Sequence, residues 1–245
     1  MSAEHPTTAP ATSAVLVAAG SSSRLGLIGG RRKPFVELAG HTVLEHAAAA
    51  FDACPAVREL VIVAREEDHA FLHELAGASP TLSKLGALVP GGATRTDSVR
   101  AGVAAASASS ELVAIHDAAR PLIAPEVITA SLELAGREGA ALVAVPANDT
   151  TKRVDAEGRA AETLDRSMLW LAQTPQVFRR TEFLELLERA AAEGFTPTDD
   201  AALHERYAGP VPISPGDATN LKITRPTDLE IAAALLRARD GSLST

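Results

Sequence analysis

Short apolar runs alternate along this chain with longer stretches that have the i, i+3, i+4 spacing of amphipathic helices. The apolar runs lack the period-2 alternation of half-exposed strands and lie at Ala14–Ala19, Glu59–Ala64, Ala87–Pro90, Leu112–His116 and Ala140–Pro146. The helical stretches lie at His41–Ala53, Glu66–Gly77, Thr94–Ala106 and Pro125–Gly136. Strands that are apolar throughout are typical of a mostly parallel sheet with helices on both faces. The pattern therefore predicts a layered α/β domain.

Two of the predicted helices carry signals for their first turn. Thr42 is followed three residues later by Glu45, which is the spacing of a capping box. Pro125 has the fixed φ and the missing N–H that suit the first position of a helix.

The alternation of strands and helices breaks after Pro146. The following stretch, "TTKRVDAEGRAAETL", is rich in charge, and turn residues at Asp155–Gly158 divide it. This pattern predicts a β-hairpin. A polar hairpin has few apolar side chains to bury, so the pattern leaves two alternatives open: packing on a partner subunit, or a solvated hairpin at the surface.

Composition restricts the classes of function. A chain of 245 residues with 46% hydrophobic residues is long enough to form one globular domain. The net charge of −8 argues against a nucleic-acid-binding protein, which needs a broad cationic surface. A small anionic ligand is still allowed, because four of the 23 Lys and Arg residues lie between Arg24 and Lys33. The single Cys54 permits no internal disulfide and no cysteine-based zinc site.

Neither a membrane span nor a signal peptide is predicted. No apolar run approaches the roughly 18 residues of a membrane-spanning helix, and "MSAEHPTTAPAT" lacks the basic and then apolar order of a signal peptide. We therefore expect a cytoplasmic protein with a disordered tail at residues 1–12, a single domain at residues 13–238 and a C-terminal tail at residues 239–245.

The stretch "AVLVAAGSSSRLG" predicts a strand that ends in a loop of small residues and a cation. It lacks the second glycine of a dinucleotide fingerprint, and Leu27 follows Gly26 where a P-loop has lysine. A flat base or a phosphate could approach the open backbone of Ala18–Gly20, with Arg24 and Lys33 nearby. The alternative is a serine-rich surface loop with scattered cations.

In "AIHDAARPLI", Asp117 follows a buried apolar run. A carboxylate at the end of a strand is well placed to hold a hard cation such as Mg²⁺. The alternative is an aspartate that caps the next turn. We expect His116 to be packed within the strand rather than to act as a base.

Seven motifs in order resemble those of the 2-C-methyl-D-erythritol 4-phosphate cytidylyltransferases of the non-mevalonate isoprenoid pathway. They are "AAGSSSRLG…RRKPF", "GGATRTDSV", "HDAARP", "DTTKRV", "LWLAQTPQVF", "TDDA" and "NLKITRPTDL", and the resemblance runs from about Ala14 to Leu236. It implies a three-layer, Rossmann-like nucleotidyltransferase fold with a mostly parallel sheet and a projecting β-hairpin arm. It also implies that CTP and 2-C-methyl-D-erythritol 4-phosphate react to give 4-diphosphocytidyl-2-C-methyl-D-erythritol and pyrophosphate.

The resemblance further implies which residues form the site. The catalytic residues would be Arg24, Lys33, Arg166 and Lys222, and Asp117 would hold Mg²⁺, the one cofactor implied. The residues implied to bind the nucleotide are Ala18, Ala19, Gly20, Arg24, Lys33, Gly92, Ser98, Asp117 and Ala118. Those implied to bind the polyol phosphate are Asp117, Arg120, Thr150, Arg166, Thr174, Thr198 and Lys222.

Members of this family use the hairpin, here about residues 147–166, as an arm that crosses a homodimer. Thr150 and Arg166 would then serve the site of the neighbouring subunit. The resemblance thus favours the first of the two alternatives for the hairpin.

The sequence also suggests roles for residues outside this set. We expect Asp199 and Asp200 to cap a helix that follows Thr198, and Trp170 to lie in the core. Asn220 could complete a metal shell. Arg31 and Arg32 either add phosphate charge or solvate the loop, and Pro34 stands where the family often has glutamine.

Two rival functions remain at this point. A ribitol 5-phosphate cytidylyltransferase would share the fold and most of the phosphate chemistry. A non-catalytic nucleotide-binding module would share the fold only. The full set of Arg24, Lys33, Asp117, Arg166 and Lys222 argues against such a module.

Overall fold

The apolar runs of the sequence form the centre of one sheet in the computed structural model, which describes residues 9–20 and 30–242. The strands are β1 (Thr12–Val17), β2 (Glu37–Leu38), β3 (His41–Thr42), β4 (Val57–Ala64), β5 (Leu85–Pro90), β6 (Leu112–Asp117), β7 (Ala140–Pro146), β8 (Lys152–Val154), β9 (Ala160–Thr163), β10 (Trp170–Arg179) and β11 (Ile213–Pro215). The helices are α1 (Val43–Asp52), α2 (His69–Ala78), α3 (Arg95–Ala105), α4 (Pro125–Glu138), α5 (Arg180–Glu193), α6 (Asp200–Tyr207) and α7 (Pro226–Ser242).

The main sheet has seven strands in the order β11-β7-β10-β6-β1-β4-β5. β1 pairs in parallel with β4 and β6, and β10 is antiparallel to its neighbours β6 and β7. The mostly parallel sheet predicted from the sequence is therefore confirmed. The sequence pattern does not predict β10, because "WLAQTPQVFR" contains a proline and two glutamines among its apolar residues.

Helices cover both faces of the sheet, as the strand pattern predicts. Along β1, Ala14 and Leu16 pack into the same cluster as apolar residues of α1 and α4. Val15, which points to the other face, packs with residues of α3 and α5. This alternation explains why β1 is apolar at every position from Ala14 to Val17, and it confirms the layered α/β class.

The predicted helix starts are confirmed in detail. The Thr42 side chain accepts a hydrogen bond from the Glu45 N–H, and the Glu45 carboxylate accepts one from the Thr42 N–H. Such caps stabilise a helix by ~1 kcal/mol. Pro125 occupies the first turn of α4, and Gly139 caps the C-terminus of that helix with a left-handed φ of 89°.

The predicted hairpin is confirmed as the antiparallel pair β8 and β9, with a turn in which the Gly158 N–H donates to the Asp155 carbonyl. No residue from 148 to 172 is buried. The expectation that Trp170 lies in the core is wrong: its side chain is 43% exposed, because the first residues of β10 extend beyond the layered core beside Pro146.

Parts of both predicted tails belong to regular elements. β1 begins at Thr12, which is fully buried, and α7 continues to Ser242. Residues 1–8 and 243–245 lie outside the described residues. None of the helices in the described ranges is long and apolar enough to cross a membrane.

Candidate active site

Four neighbouring parallel strands end at one edge of the sheet and create a cleft there. Val17 and Asp117 face each other in register at the ends of β1 and β6, and Arg65 and Gly91 directly follow β4 and β5. From β1 the chain builds β4 and β5 on one side and β6 on the other, so β1 marks a topological switch point. Ligands of open α/β sheets bind at such points. The cleft here has a volume of about 570 Å³.

The cleft brings together most of the residues predicted to bind the nucleotide. Those that line it are Ala18, Ala19, Gly20, Lys33, Gly92, Ser98 and Asp117. Lys222, predicted to be catalytic and to bind the polyol phosphate, lines the same cleft. Ala118 lies beneath the surface, fully buried, and its N–H donates to the Val17 carbonyl at 3.2 Å. Arg24 lies outside the described residues.

Glycines let the two walls of the cleft approach each other. A Cβ on Gly91 would lie 2.2 Å from the Cβ of Ala19 on the opposite wall, whereas one on Gly92 would lie 2.2 Å from the Cβ of Asp97 on its own wall. The Ser98 hydroxyl accepts from the Gly92 N–H at 3.1 Å and donates to the carbonyl of Thr94 at 3.0 Å. The loop between β5 and α3 is thus fixed against the end of β1.

Asp117 lies at the base of the cleft between two cations. Lys222 Nζ donates to its Oδ2 at 2.6 Å, and Arg95 Nε lies 3.4 Å from its Oδ1. Burial acts to raise the pKa of the Asp117 carboxyl, but Arg95, Lys222 and Arg120 outweigh it and hold that pKa well below its usual range. Asp117 is therefore an anion at neutral pH.

Arg95 is a site residue that the sequence analysis does not single out. It is the first residue of α3, and its two terminal nitrogens donate to both oxygens of Asp200, at 3.0 and 2.7 Å. Burial works against its charge, but the carboxylates of Asp200 and Asp117 raise the pKa of Arg95. Burial raises the pKa of Asp200, and Arg95 opposes that shift. The one sequence feature that could have pointed to Arg95 is its position directly after "GGAT", at the start of a predicted helix.

The expectation that both aspartates cap α6 is half confirmed. Asp199 is the N-cap, and its Oδ1 accepts from the Ala202 N–H at 2.9 Å. Asp200 is instead 2% exposed, and its carboxylate accepts hydrogen bonds from Arg95.

A hydrogen-bonded chain lies behind Asp117. The Asp117 N–H donates to Thr174 Oγ1 at 3.1 Å, and that hydroxyl donates to His116 Nδ1 at 3.0 Å. His116 Nε2 in turn donates to the Arg120 carbonyl at 3.1 Å. Burial lowers the pKa of His116 to about 4, which keeps the ring neutral, and its edge packs on Phe51 at 5.0 Å between centroids. His116 is a packed strand residue as predicted, and Thr174 holds the backbone of Asp117.

Lys222 lies on the connection between β11 and α7. The next residue, Ile223, anchors this connection: its side chain is fully buried, and its N–H donates to the Ala119 carbonyl at 2.8 Å. Arg120 supports the same connection by donating to the Asn220 carbonyl at 2.7 Å.

Asn220 is fully buried beside this connection. Its amide nitrogen donates to Gln173 Oε1 and to the Thr174 carbonyl, both at 3.0 Å. Asn220 thus links β10 to the segment between β11 and α7 that carries Lys222.

The cations near Lys33 divide between two clefts. Lys33 opens a 3₁₀ turn whose Pro34 is buried, and it lines the switch-point cleft. Arg65 lines the same cleft and donates to the Ala19 carbonyl at 3.3 Å. Arg31 and Arg32 line a neighbouring cleft instead.

The orientation of these two arginines follows from their partners. The guanidinium of Arg31 lies 4.9 Å above the ring of Phe71, and Arg32 pairs with Glu67 and Asp68. The sequence leaves two alternatives for this pair: a contact with phosphate, or solvation of the loop. Arg32 fits neither, because it is buried and lines the neighbouring cleft.

The remaining residues predicted to bind the polyol phosphate do not line this cleft. Thr150 and Arg166 are exposed on the arm, where Arg166 donates to the Asn148 carbonyl at 2.6 Å. Thr198 is exposed just before the cap of α6.

A layered α/β fold with a switch-point cleft, in which a glycine-containing wall lies opposite cations around one carboxylate, is the arrangement expected of a nucleotidyltransferase. A family model described as 2-C-methyl-D-erythritol 4-phosphate cytidylyltransferase matches residues 12–238. The chain belongs to that family.

Relatives and solved structures agree with this membership. A protein of that name from Symbiobacterium thermophilum is 42% identical over 224 residues, which cover 91% of this chain and 92% of the relative. The 4-diphosphocytidyl-2C-methyl-D-erythritol synthase from Anaerococcus prevotii superposes with a TM-score of 0.82 at 28% identity, covering 94% of this chain and 97% of that one. The cytidylyltransferase from Thermus thermophilus gives 0.73 at 33% identity, covering 91% and 98%.

Proposed function

We propose that this chain joins CTP and 2-C-methyl-D-erythritol 4-phosphate to give 4-diphosphocytidyl-2-C-methyl-D-erythritol and pyrophosphate. The observation that carries the proposal is the switch-point cleft, where Lys33, Arg95 and Lys222 share the lining with the ionised Asp117. A phosphate oxygen of the polyol phosphate attacks the α-phosphorus of CTP. The new P–O bond forms as the bond between the α-phosphorus and the bridging oxygen breaks, and pyrophosphate leaves with that oxygen.

The reaction needs fixed positive charge more than it needs a base. The attacking phosphate is already ionised at neutral pH, and the barrier arises from bringing two anions together and from charge that grows on the leaving pyrophosphate. The described residues that line the cleft include no histidine and no cysteine, but they do include lysines and arginines. This composition suits phosphoryl-type transfer.

The nucleotide would lie between the two glycine-containing walls. The small residues from Ala18 to Gly20 leave the backbone of one wall open, and Gly92 with Ser98 forms the other. Lys33 would stabilise charge on the α-phosphate and the pyrophosphate. Arg24, which lies outside the described residues, would share this task.

Asp117 fits a magnesium ion that arrives with the triphosphate. No three His, Cys, Asp or Glu side chains cluster into a metal site in the described part of the chain. Mg²⁺, however, often keeps several waters and takes only one or two carboxylates together with substrate phosphates. Asp117 would hold the ion, which would supply positive charge to offset the negative charge of the triphosphate. Lys222 would then pair with the polyol phosphate in place of Asp117.

Part of the polyol-phosphate site would come from the arm of a second subunit. Thr150 and Arg166 lie on the arm and outside their own cleft, which agrees with a role in a neighbouring site. A planar guanidinium such as that of Arg166 can grip a phosphate with two hydrogen bonds. Arg120 and Thr198 would complete the site from within the subunit.

The surface of the arm supports a homodimer. Three large apolar side chains at its base are exposed: Met168 at 80%, Leu171 at 58% and Trp170. Val154, on β8, is also exposed. Several large apolar side chains exposed on one element are typical of an interaction surface, and burial against a second copy would cover them.

The first experiment measures pyrophosphate release by the purified chain with Mg²⁺ and CTP, with 2-C-methyl-D-erythritol 4-phosphate and ribitol 5-phosphate offered in parallel. We expect release with the first acceptor. Release with ribitol 5-phosphate alone would keep the chemistry and overturn the substrate. A folded protein that binds CTP but releases nothing with either acceptor would instead be a nucleotide-binding module.

A mixing experiment tests the shared site. Lys33→Ala and Arg166→Ala are each expected to abolish turnover. If Arg166 serves the neighbouring subunit, mixed dimers contain one site with both residues intact, so refolding the two variants together should restore about a quarter of wild-type activity. Inactivity of the mixture, at a dimeric mass measured by light scattering, would show that Arg166 acts within its own subunit.

A further inference from the structure

A chain of alternating charges runs from the cleft into the protein: Lys222, Asp117, Arg95 and Asp200. The first contact is 2.6 Å, Arg95 Nε lies 3.4 Å from Asp117, and both terminal nitrogens of Arg95 bind the Asp200 carboxylate. Arg95 and Asp200 are 105 residues apart in sequence, so α3 and α6 must both be in place before this contact forms.

Asp200 has no other evident task. Asp199 already caps α6, so the helix does not need a second carboxylate at its start. Placing Asp200 almost completely out of water is unfavourable unless its charge is matched with good geometry. The two parallel hydrogen bonds from Arg95 provide that match.

The two cations on Asp117 differ in freedom. Lys222 has a flexible stem and makes one contact with Oδ2, whereas both ends of the Arg95 guanidinium are fixed by Asp200. Arg95 can therefore reach Oδ1 only through its Nε, in one orientation. When Lys222 turns to a substrate phosphate, Arg95 still holds the carboxylate.

We propose that Arg95, held by Asp200, is a positioning residue that fixes the orientation of the Asp117 carboxylate in the nucleotide cleft. The proposal rests on the proposed function of Asp117 toward CTP. In this proposal Arg95 and Asp200 do not contact the reacting atoms. Removing them is therefore expected to impair only the steps that depend on Asp117, namely binding and turnover of CTP.

The test uses a paired replacement, because Arg95→Gln alone would leave Asp200 buried without its cation and could prevent folding. Arg95→Gln with Asp200→Asn removes both charges together. We expect this double variant to unfold cooperatively in urea but to lose ~10- to 100-fold in kcat/KM for CTP, the scale of a site misplaced by about 1 Å. Its affinity for CTP with Mg²⁺, measured by calorimetry, should fall in the same direction.

Comparison with Asp117→Asn separates positioning from general damage. Coupled residues give non-additive effects, so in the Asp117→Asn background the paired replacement should change kcat/KM and CTP affinity by less than about threefold. Two results would overturn the proposal: wild-type kinetics and affinity in the paired variant, or the same loss in both backgrounds. If wild-type protein shows CTP binding but no turnover, the proposed function fails and the calorimetric comparison still decides the role of Arg95.

Discussion

Replacing Gly91 by alanine tests whether the close approach of the two cleft walls matters for function. The added Cβ would lie 2.2 Å from the Cβ of Ala19 and 3.1 Å from Ser98 Oγ. Carbon atoms in contact sit about 3.5–4.0 Å apart, so the walls must separate by roughly 1.5 Å. Overpacking of this kind costs about 1–3 kcal/mol of stability. Because Ala19 and Ser98 both line the nucleotide cleft, kcat/KM for CTP should fall ~100-fold.

A compensating substitution makes this prediction specific. In Gly91→Ala with Ala19→Gly, the clashing Cβ is gone, and the nearest atoms to the new methyl group become Ser98 Oγ at 3.1 Å and the residue-19 Cα at 3.7 Å. Most of the lost activity should return. Gly77→Ala serves as the matched control: its Cβ would meet nothing within 4 Å, and alanine favours the α2 helix by up to ~1 kcal/mol.

The assay combines thermal unfolding with pyrophosphate release at varied CTP. Wild-type kcat/KM in Gly91→Ala would refute the reasoning, and so would a double variant as impaired as the single one. In either case the spacing of the two walls would not control nucleotide binding.

Three further predictions address charge, pH and backbone. Lys33→Ala should lower kcat ~1000-fold or more without loss of helical circular dichroism, since fixed positive charge carries phosphoryl transfer; near-normal turnover would remove Lys33 from its assigned role. The pKa of His116 is lowered to about 4, below its unfolded value of 6.5, so between these values the unfolded state binds more protons and stability falls as pH falls. Between about pH 7.5 and pH 5, the free energy of unfolding in urea should drop in the wild type by ~2 kcal/mol more than it drops in His116→Gln. The control variant His73→Gln, which replaces an exposed histidine, should follow the wild type. Gly139→Ala should destabilise the protein by ~1–2 kcal/mol because φ is 89° there, and an unchanged melting temperature would contradict that.

The buried parallel strands could be predicted from sequence because their signal is local. Ala140–Pro146 matches β7 from end to end, and Leu112–His116 falls one residue short of β6. β10 could not be found in this way. Its strand conformation comes from ladders with β6 on one side and β7 on the other, and these contacts outweigh the poor strand propensity of its proline and glutamines.

The candidate site was predictable where it depends on strand ends. Ala18–Gly20 and Asp117 follow or end apolar runs, and parallel strands bring such ends to the same edge. Arg65 occupies the equivalent position after β4 and lines the same cleft. It could have been found by the same reasoning, whereas Thr174 reaches Asp117 only because β10 inserts beside β6.

Asp199 and Asp200 show where local signals stop being sufficient. Two acidic residues at a helix start both match a cap, and the spacing gives no reason to separate them. The extended backbone of Asp199 turns its side chain toward the Ala202 N–H, while Asp200, one residue further on, begins the helix and faces Arg95. Local sequence signals predict the contacts that a side chain can make within its own helix or strand. Which of two such carboxylates is buried depends on the element packed against it, and here that element is α3, which carries Arg95 to the floor of the cleft.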